Sequence, residues 1–313
     1  MNILITGGLG FIGSYFAEKL SEENKIIILD NYTGFSKTAE LMFTNRSFKN
    51  IKVINCDVAH DDIDTFFKNI DYVYHFAANS KISEGVNNPD IDFNVTAKGT
   101  HNVLSAMMNN NVKNIIFPSG SGVYGDQHDT ILEEDFGPLL PVSFYGASKL
   151  CAEAYISSFV GMKNMKAFIF RFANVVGKRQ THGVAYDFYY KLKNNPKELE
   201  VLGDGYQSKS YIDVEDIYEA IQHVVTNQKS SLDVYNIATD DYISVREIAR
   251  IVILEMGLKD VSLSFGESAA GWLGDVPIVR FSINKIKNLG WTAKYNSQEA
   301  TSRAIKEIIS NDN

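Results

Sequence analysis

The sequence predicts an α/β protein: a doubly wound parallel sheet, followed by a smaller mixed α/β domain. Three observations carry this. Short apolar runs alternate with amphipathic stretches through the first half of the chain. The first run, Asn2-Ile3-Leu4-Ile5-Thr6, passes through glycines at 7, 10 and 13 into a helical pattern ending near Leu20. The second run, Ile26 to Leu29, ends on an acid, Asp30, 17 residues beyond Gly13. Strand, glycine turn, helix, strand and acid together form the opening βαβ unit of a dinucleotide-binding sheet.

Each glycine has its own task. Gly7 permits the tight turn, Gly10 lets backbone approach a pyrophosphate, and Gly13 lets the helix pack close to the strand. The helix start at Phe11 and Ile12 offers N–H groups and a partial positive charge to the phosphates. Asp30 is placed for the hydroxyls of the adenosine ribose, with Asn31 beside it. The residues that follow, Asn31-Tyr32-Thr33-Gly34, include no cation. A 2′-phosphate would be repelled by Asp30, so the cofactor expected is NAD rather than NADP.

Further strands follow in order. Ile51 to Asn55 leads into Cys56-Asp57-Val58, where Asp57 either receives the adenine amino group or caps a helix at Asp61-Asp62. Asp71 to Ala78 reads as a strand ending in Phe76-Ala77-Ala78, whose small residues leave space for the cofactor. His75 within it reads as a packing histidine. Asp92 to Asn109 reads as one helix with Val95, Val103, Leu104 and Met107 on its apolar side. Ile115 to Phe117 begins a strand that runs into Pro118-Ser119-Gly120-Ser121-Gly122. A helix from about Tyr145 to Phe159 and a strand from Ala167 to Phe172 complete the pattern. The dinucleotide domain is expected over 1–177, with a return near 211–240. The substrate domain is expected mainly over 178–313.

The chain has 313 residues, 45% hydrophobic and 22% charged, with a net charge of −8 and no basic tail. These values fit a globular protein and argue against nucleic-acid binding as a main function. Its two cysteines, Cys56 and Cys151, form no CxxC pair, which argues against a disulfide framework or structural zinc. No apolar stretch reaches the ~18–20 residues of a membrane span. The first strand starts at Asn2, so no signal peptide is expected. The expectation is a cytoplasmic protein with no metal site and no membrane or nucleic-acid partner.

The catalytic signal is Tyr145-Gly146-Ala147-Ser148-Lys149. Residues i and i+4 share a helix face. Lys149 is thus expected beside Tyr145, lowering the phenol from its ordinary value near 10 so that it serves as a base.

Together, the glycine motif, Asp30, Asp57, the Ser/Gly segment before Val123-Tyr124-Gly125 and the Tyr145/Lys149 pair resemble the extended short-chain dehydrogenase/reductase superfamily. Within it, the chain is similar to the NAD-dependent nucleotide-sugar epimerases and dehydratases, of the UDP-glucose (UDP-galactose) 4-epimerase type. The resemblance covers nearly the whole chain and implies a Rossmann-type fold, NAD, a nucleotide-sugar substrate and a homodimer formed through the 92–109 helix and the helix after Tyr145. It implies that Asn174, in Arg171-Phe172-Ala173-Asn174-Val175-Val176-Gly177, contacts the sugar nucleotide. It also implies that Lys209 contacts the diphosphate.

Three departures stand out. The family's usual Ser/Thr falls on Gly120, between Ser119 and Ser121. Strand alternation puts both serines on one face, so the sequence does not choose between them, although Ser119 is favoured. The family's phosphate-binding arginines fall on Lys209 and Trp272. A frequent asparagine falls on Thr96. Where dehydratases carry an acidic pair and decarboxylases a glutamate, Ser121 and Gly122 stand here. That favours epimerisation, expected at C4, over dehydration or decarboxylation. The alternatives are another nucleotide-sugar modification (a 2-epimerase, a dehydratase with unusual acids or a reductase) and a catalytically silent NAD-binding protein, against which the Tyr145/Lys149 pair argues.

Overall fold

The computed structural model describes residues 1–34, 36–44, 48–79 and 82–312. It divides into two units: 1–123, 144–171 and 228–235 form the first, and 124–143, 172–227 and 236–313 the second.

The first unit is organised by one seven-stranded sheet. Its strands are β1 (Asn2–Thr6), β2 (Lys25–Asp30), β3 (Ile51–Asn55), β4 (Tyr72–His75), β5 (Asn114–Gly120), β6 (Lys166–Phe172) and β7 (Leu232–Ile237). Their spatial order is β7-β6-β5-β4-β1-β2-β3. The pairings β1–β2, β1–β4, β2–β3 and β4–β5 are parallel. Strand order reverses at β1, between β4 and β2, which is where a doubly wound sheet opens its crevice. Both faces are covered, so strands such as Ile3-Leu4-Ile5 and Val73-Tyr74 are buried throughout.

The helices of this unit are α1 (Phe11–Leu20), α2 (Lys37–Thr44), α3 (Pro89–Asp92), α4 (Gly99–Asn109) and α5 (Phe144–Lys163). α1 buries Phe11, Phe16 and Leu20. α4 buries Val103, Leu104 and Met107 in the same core as Phe117, Ala152 and Ile156.

Some local expectations need correction. The helix expected over 92–109 begins at Pro89, and between α3 and α4 the chain makes a π-helical turn, Phe93–Lys98. Hydrophobic spacing cannot distinguish a one-residue π insertion from regular helix, and π turns tend to sit at functional positions. No helix starts at Asp61-Asp62; a 3₁₀ turn spans Asp64–Phe67 instead. β4 ends at His75, so Phe76-Ala77-Ala78 leaves the sheet.

The second unit packs the helices Val184–Asn194, Val245–Glu255 and Ser297–Asp312 around one apolar cluster that includes Phe188, Leu192, Ile248, Val252, Ala304 and Ile305. Val245–Glu255 starts with a reciprocal cap between Ser244 and Glu247. Short strand pairs, Asn174–Val176 with Tyr211–Asp213 and Glu198–Val201 with Ser262–Phe265, brace the loops.

Candidate active site

The glycine turn is held from below. Gly7 N–H donates to the Leu29 carbonyl at 2.8 Å, and Gly10 N–H to the Gly7 carbonyl at 3.2 Å. Gly7 has a φ of +65°, and a Cβ there would lie 2.7 Å from Ala77 N. A Cβ on Gly13 would lie 2.2 Å from the Gly7 carbonyl oxygen. Both positions are therefore closed to side chains. Gly10 is the N-cap of α1 with no side-chain cap, and the first turn holds no acid. The positive end of α1 is thus suited to an anion.

Asp30 is 7% exposed, and its two oxygens each accept one backbone N–H, from Leu9 and Tyr32, both at 2.9 Å. Burial raises the carboxyl and these two bonds lower it. Each oxygen keeps a second lone pair for a ribose hydroxyl. Asn31 Nδ2 donates to Asp57 Oδ2 at 3.2 Å. Asp57 Oδ1 accepts from Ala59 N–H at 2.8 Å. Asp57 therefore caps a local turn, not a helix at 61–62. Burial pushes Asp57 up, but the bonds from Ala59, Asn31 and His60 outweigh it and leave the carboxyl below its ordinary value. Val58 is buried in the core. Beyond β4, Ala77 N–H donates to Thr6 Oγ1 at 3.2 Å, and the Phe76 ring lies 4.9 Å from that of Phe16. Phe76, Ala77 and Ala78 remain partly exposed. The glycine turn, Asp30-Asn31 and Phe76-Ala77-Ala78 therefore lie at the ends of β1, β2 and β4, where a dinucleotide fits them; Asp57 follows β3, and the Val58 side chain is turned into the core.

The sequence-predicted reaction residues Ser119, Tyr145 and Lys149 lie on β5 and α5, with Ser121 just beyond β5. Ser119 is 4% exposed, and its Oγ has no hydrogen-bond partner among the described residues. Such a buried hydroxyl is costly unless a bound molecule satisfies it. Ser121 differs from expectation. β5 ends at Gly120, and Ser121–Tyr124 is a 3₁₀ turn, so strand alternation does not carry Ser121 onto the face of Ser119. A Cβ on Gly122 would lie 3.4 Å from Gly146 Cα and 3.9 Å from Tyr145 Cδ1, which sets this turn against the start of α5.

Lys149 is buried; its Nζ donates to the Pro118 carbonyl at 2.8 Å and lies 5.8 Å from the centre of the Tyr145 ring. Burial lowers the ammonium to about 8, with Glu153 opposing. The expected lowering of Tyr145 is not what the protein alone provides. Burial and the charge of Asp92 push the phenol up to about 12. The reason is that desolvation disfavours phenolate and the lysine is committed to a backbone carbonyl. Asp92 carried no signal in the sequence beyond an acid in a helical stretch.

His75 packs as expected. It is fully buried between Thr6 Oγ1 at 2.6 Å and Thr100 Oγ1 at 2.9 Å, and burial, with Lys149 adding, lowers it to about 3. Arg171 makes a two-pronged buried pair with Glu153, at 3.1 and 2.7 Å.

In the second unit, Lys209 Nζ donates to Asp275 Oδ1 at 2.7 Å, and Asp275 Oδ2 accepts from Gly271 N–H at 3.1 Å. Asn174 N–H donates to the Ser210 carbonyl at 3.2 Å. Its side chain bonds Tyr211, whose hydroxyl burial pushes upward. Among the described residues there is no cluster of His, Cys, Asp and Glu that could hold a metal ion, and no helix is long and apolar enough to cross a membrane.

Residues 3–238 match the model of the NAD dependent epimerase/dehydratase family. The chain belongs to that family. A Methanocaldococcus jannaschii protein provisionally named UDP-glucose 4-epimerase is 31% identical, over 99% of each chain. The solved Thermus thermophilus UDP-glucose 4-epimerase in complex with NAD is 27% identical and covers 99% of each chain, with a TM-score of 0.85. Human dTDP-D-glucose 4,6-dehydratase is 28% identical over 97% of this chain and 89% of its own. Family membership makes NAD the cofactor and the chain an enzyme of nucleotide-sugar chemistry.

Proposed function

We propose that this protein is a nucleotide-sugar 4-epimerase acting on a UDP-glucose/UDP-galactose type substrate through a transient 4-keto sugar. The observation that carries this reading is the composition of the turn against Tyr145. Ser119, Gly120, Ser121 and Gly122 contribute hydroxyls and space but no carboxylic acid, so the turn has no acid–base pair to drive elimination of water. The buried Asp92 is committed through Oδ1 to Asn79 and lies in α3 rather than in that turn.

NAD, which Gly7, Gly10, Gly13 and Asp30 would hold, would supply the acceptor and donor for a hydride at C4. The residues do the rest. Tyr145 takes the proton of the sugar 4-hydroxyl and gives it back to the inverted alkoxide. Ser119 Oγ, buried without a protein partner, donates to the reacting oxygen. Ser121 supports the same turn. Lys149 supplies a buried positive charge and binds the cofactor ribose. Gly7, Gly10, Gly13 and the start of α1 hold the pyrophosphate, and Asp30 holds the adenosine ribose. Asn174 and Lys209 bind the sugar nucleotide, and the substrate diphosphate competes with Asp275 for Lys209. Lysine gives a point charge rather than a fork, so diphosphate binding depends on further groups.

The working form is a homodimer in a reducing, cytoplasmic setting. Support comes from apolar side chains left exposed on α5 and around α4, including Met162 at 79%, Phe93 at 59% and Tyr155 at 44%, and from two free cysteines. The test is a panel of nucleotide sugars followed by NMR. The expected result is interconversion of C4 epimers by the unmodified protein and loss of turnover by about 10²–10⁴-fold in Tyr145→Phe. A 4-keto-6-deoxy product instead of an epimer would move the protein among the dehydratases.

A further inference from the structure

α3, the π-helical turn and α5 bring an unused acid to the reaction residues. Asp92 ends α3 and immediately precedes the π turn Phe93–Lys98. Both α3 and the π turn pack against α5, the helix of Tyr145 and Lys149. The Asp92 side chain is buried at 1% exposure. Its Oδ1 accepts from Asn79 Nδ2 at 3.1 Å, and Asn79 belongs to the segment that leaves β4 at the cofactor end. Its Oδ2 has no hydrogen-bond partner among the described residues, and neither does Thr96 Oγ1, which lies within the π turn. The fold makes room for this carboxylate: a Cβ on Gly85 would stand 2.2 Å from Oδ2. A buried carboxylate with one weak partner is destabilising on its own, so its retention beside the base calls for a use.

The surrounding charges narrow that use. Glu84 in the 3₁₀ turn Ile82–Val86, Asp90 in α3 and Lys98 in the π turn are exposed to solvent and screened. On α5, Lys149 is bound to the Pro118 carbonyl, and Glu153 is paired with Arg171. Asp92 is thus a buried acid without a cationic partner among these groups, and its charge opposes that of a Tyr145 phenolate.

We propose that Asp92 is a positioning residue that couples proton abstraction by Tyr145 to oxidised cofactor: its buried negative charge opposes the phenolate until the positive nicotinamide ring of NAD⁺ offsets it. The same charge favours NAD⁺ over NADH in the site. The base therefore becomes competent when hydride can be accepted, and it is restrained when the cofactor is reduced or absent. This rests on the reading of Tyr145 as the base.

Two variants test it. Asp92→Asn is isosteric and keeps an acceptor for Asn79. Gly85→Ala leaves the acid in place but drives its Oδ2 away. Affinities of NAD⁺ and NADH are measured directly by calorimetry, and kcat/KM is followed against pH. Both variants should reduce the preference for NAD⁺ over NADH by about tenfold, the scale of one nearby charge. Both should also move the acid limb of the rate profile to lower pH. A purely structural role would lower thermal stability and leave the NAD⁺/NADH ratio and the limb in place; that outcome in either folded variant overturns the proposal. If Tyr145→Phe keeps full turnover, the base assignment itself has failed, whatever Asp92 does.

Discussion

Ser119 lies near the end of β5, buried, with a hydroxyl that has no hydrogen-bond partner among the described residues. The family position falls on Gly120, and alternation along an ideal strand would have made Ser119 and Ser121 equivalent. The backbone breaks into a 3₁₀ turn after Gly120, so only Ser119 is a strand residue with a buried, unpartnered hydroxyl. Ser119→Ala should therefore lower turnover about 10²–10³-fold, the scale for one preorganised donor, and Ser121→Ala much less. Steady-state kinetics on both variants decide it, and the reverse order would move the role to Ser121. His75 gives a second expectation at this scale. Its folded value lies near 3, below the ordinary 6.5, so the unfolded chain binds its proton first as pH falls. Stability from His75 is complete above about 6.5 and is lost toward 3, on the order of 1 kcal/mol per pH unit. Denaturant unfolding at pH 7 and pH 5 should show a smaller loss in His75→Gln than in the unmodified protein. Equal losses would show that the buried imidazole is not the cause.

At the scale of elements, the glycine motif and the tyrosine helix were legible because local geometry dictates residue type. Gly13 cannot carry a side chain because the Gly7 carbonyl oxygen stands where its Cβ would be. Gly161, inside α5, is different: a Cβ there would meet nothing within 4 Å. Gly13→Ala should therefore destabilise the first unit by about 1–3 kcal/mol and weaken NAD binding, because backbone must shift. Gly161→Ala should be stabilising by about 0.5–1 kcal/mol with binding unchanged, because only helix propensity changes. Thermal melts with and without NAD separate the two, and equal effects would contradict the packing account. What escaped the sequence were features with no periodic signature. The π turn at Phe93–Lys98 keeps helical hydrophobic spacing on either side. Asp92 reads as any acid in a helix; only the structure shows it buried on α3, which packs against α5. The upward push on Tyr145 depends on desolvation, which spacing does not report.

At the scale of the whole molecule, the strands of the first sheet were readable from alternating apolar runs, whereas the second unit was read only coarsely. Its strands are two to four residues long, and the contact of Lys209 with Asp275 joins the end of one such strand to a loop. The exposed Met162 and Tyr155 of α5 belong to this scale too. Light scattering at micromolar concentration should give twice the chain mass of 35.0 kDa, and Tyr155→Lys with Met162→Lys should shift it toward the monomer. A monomeric unmodified protein would remove the proposed dimer. The central claim, reversible hydride transfer at C4 of one bound sugar, has a more direct test. UDP-glucose carrying deuterium at C4 is incubated with the NAD-loaded enzyme, and the product is read by NMR and mass spectrometry. The account predicts C4-inverted product that keeps its deuterium, since hydride leaves and returns within one site. Inverted product that has exchanged its deuterium for solvent hydrogen, or no inversion with any sugar nucleotide that binds, would contradict it.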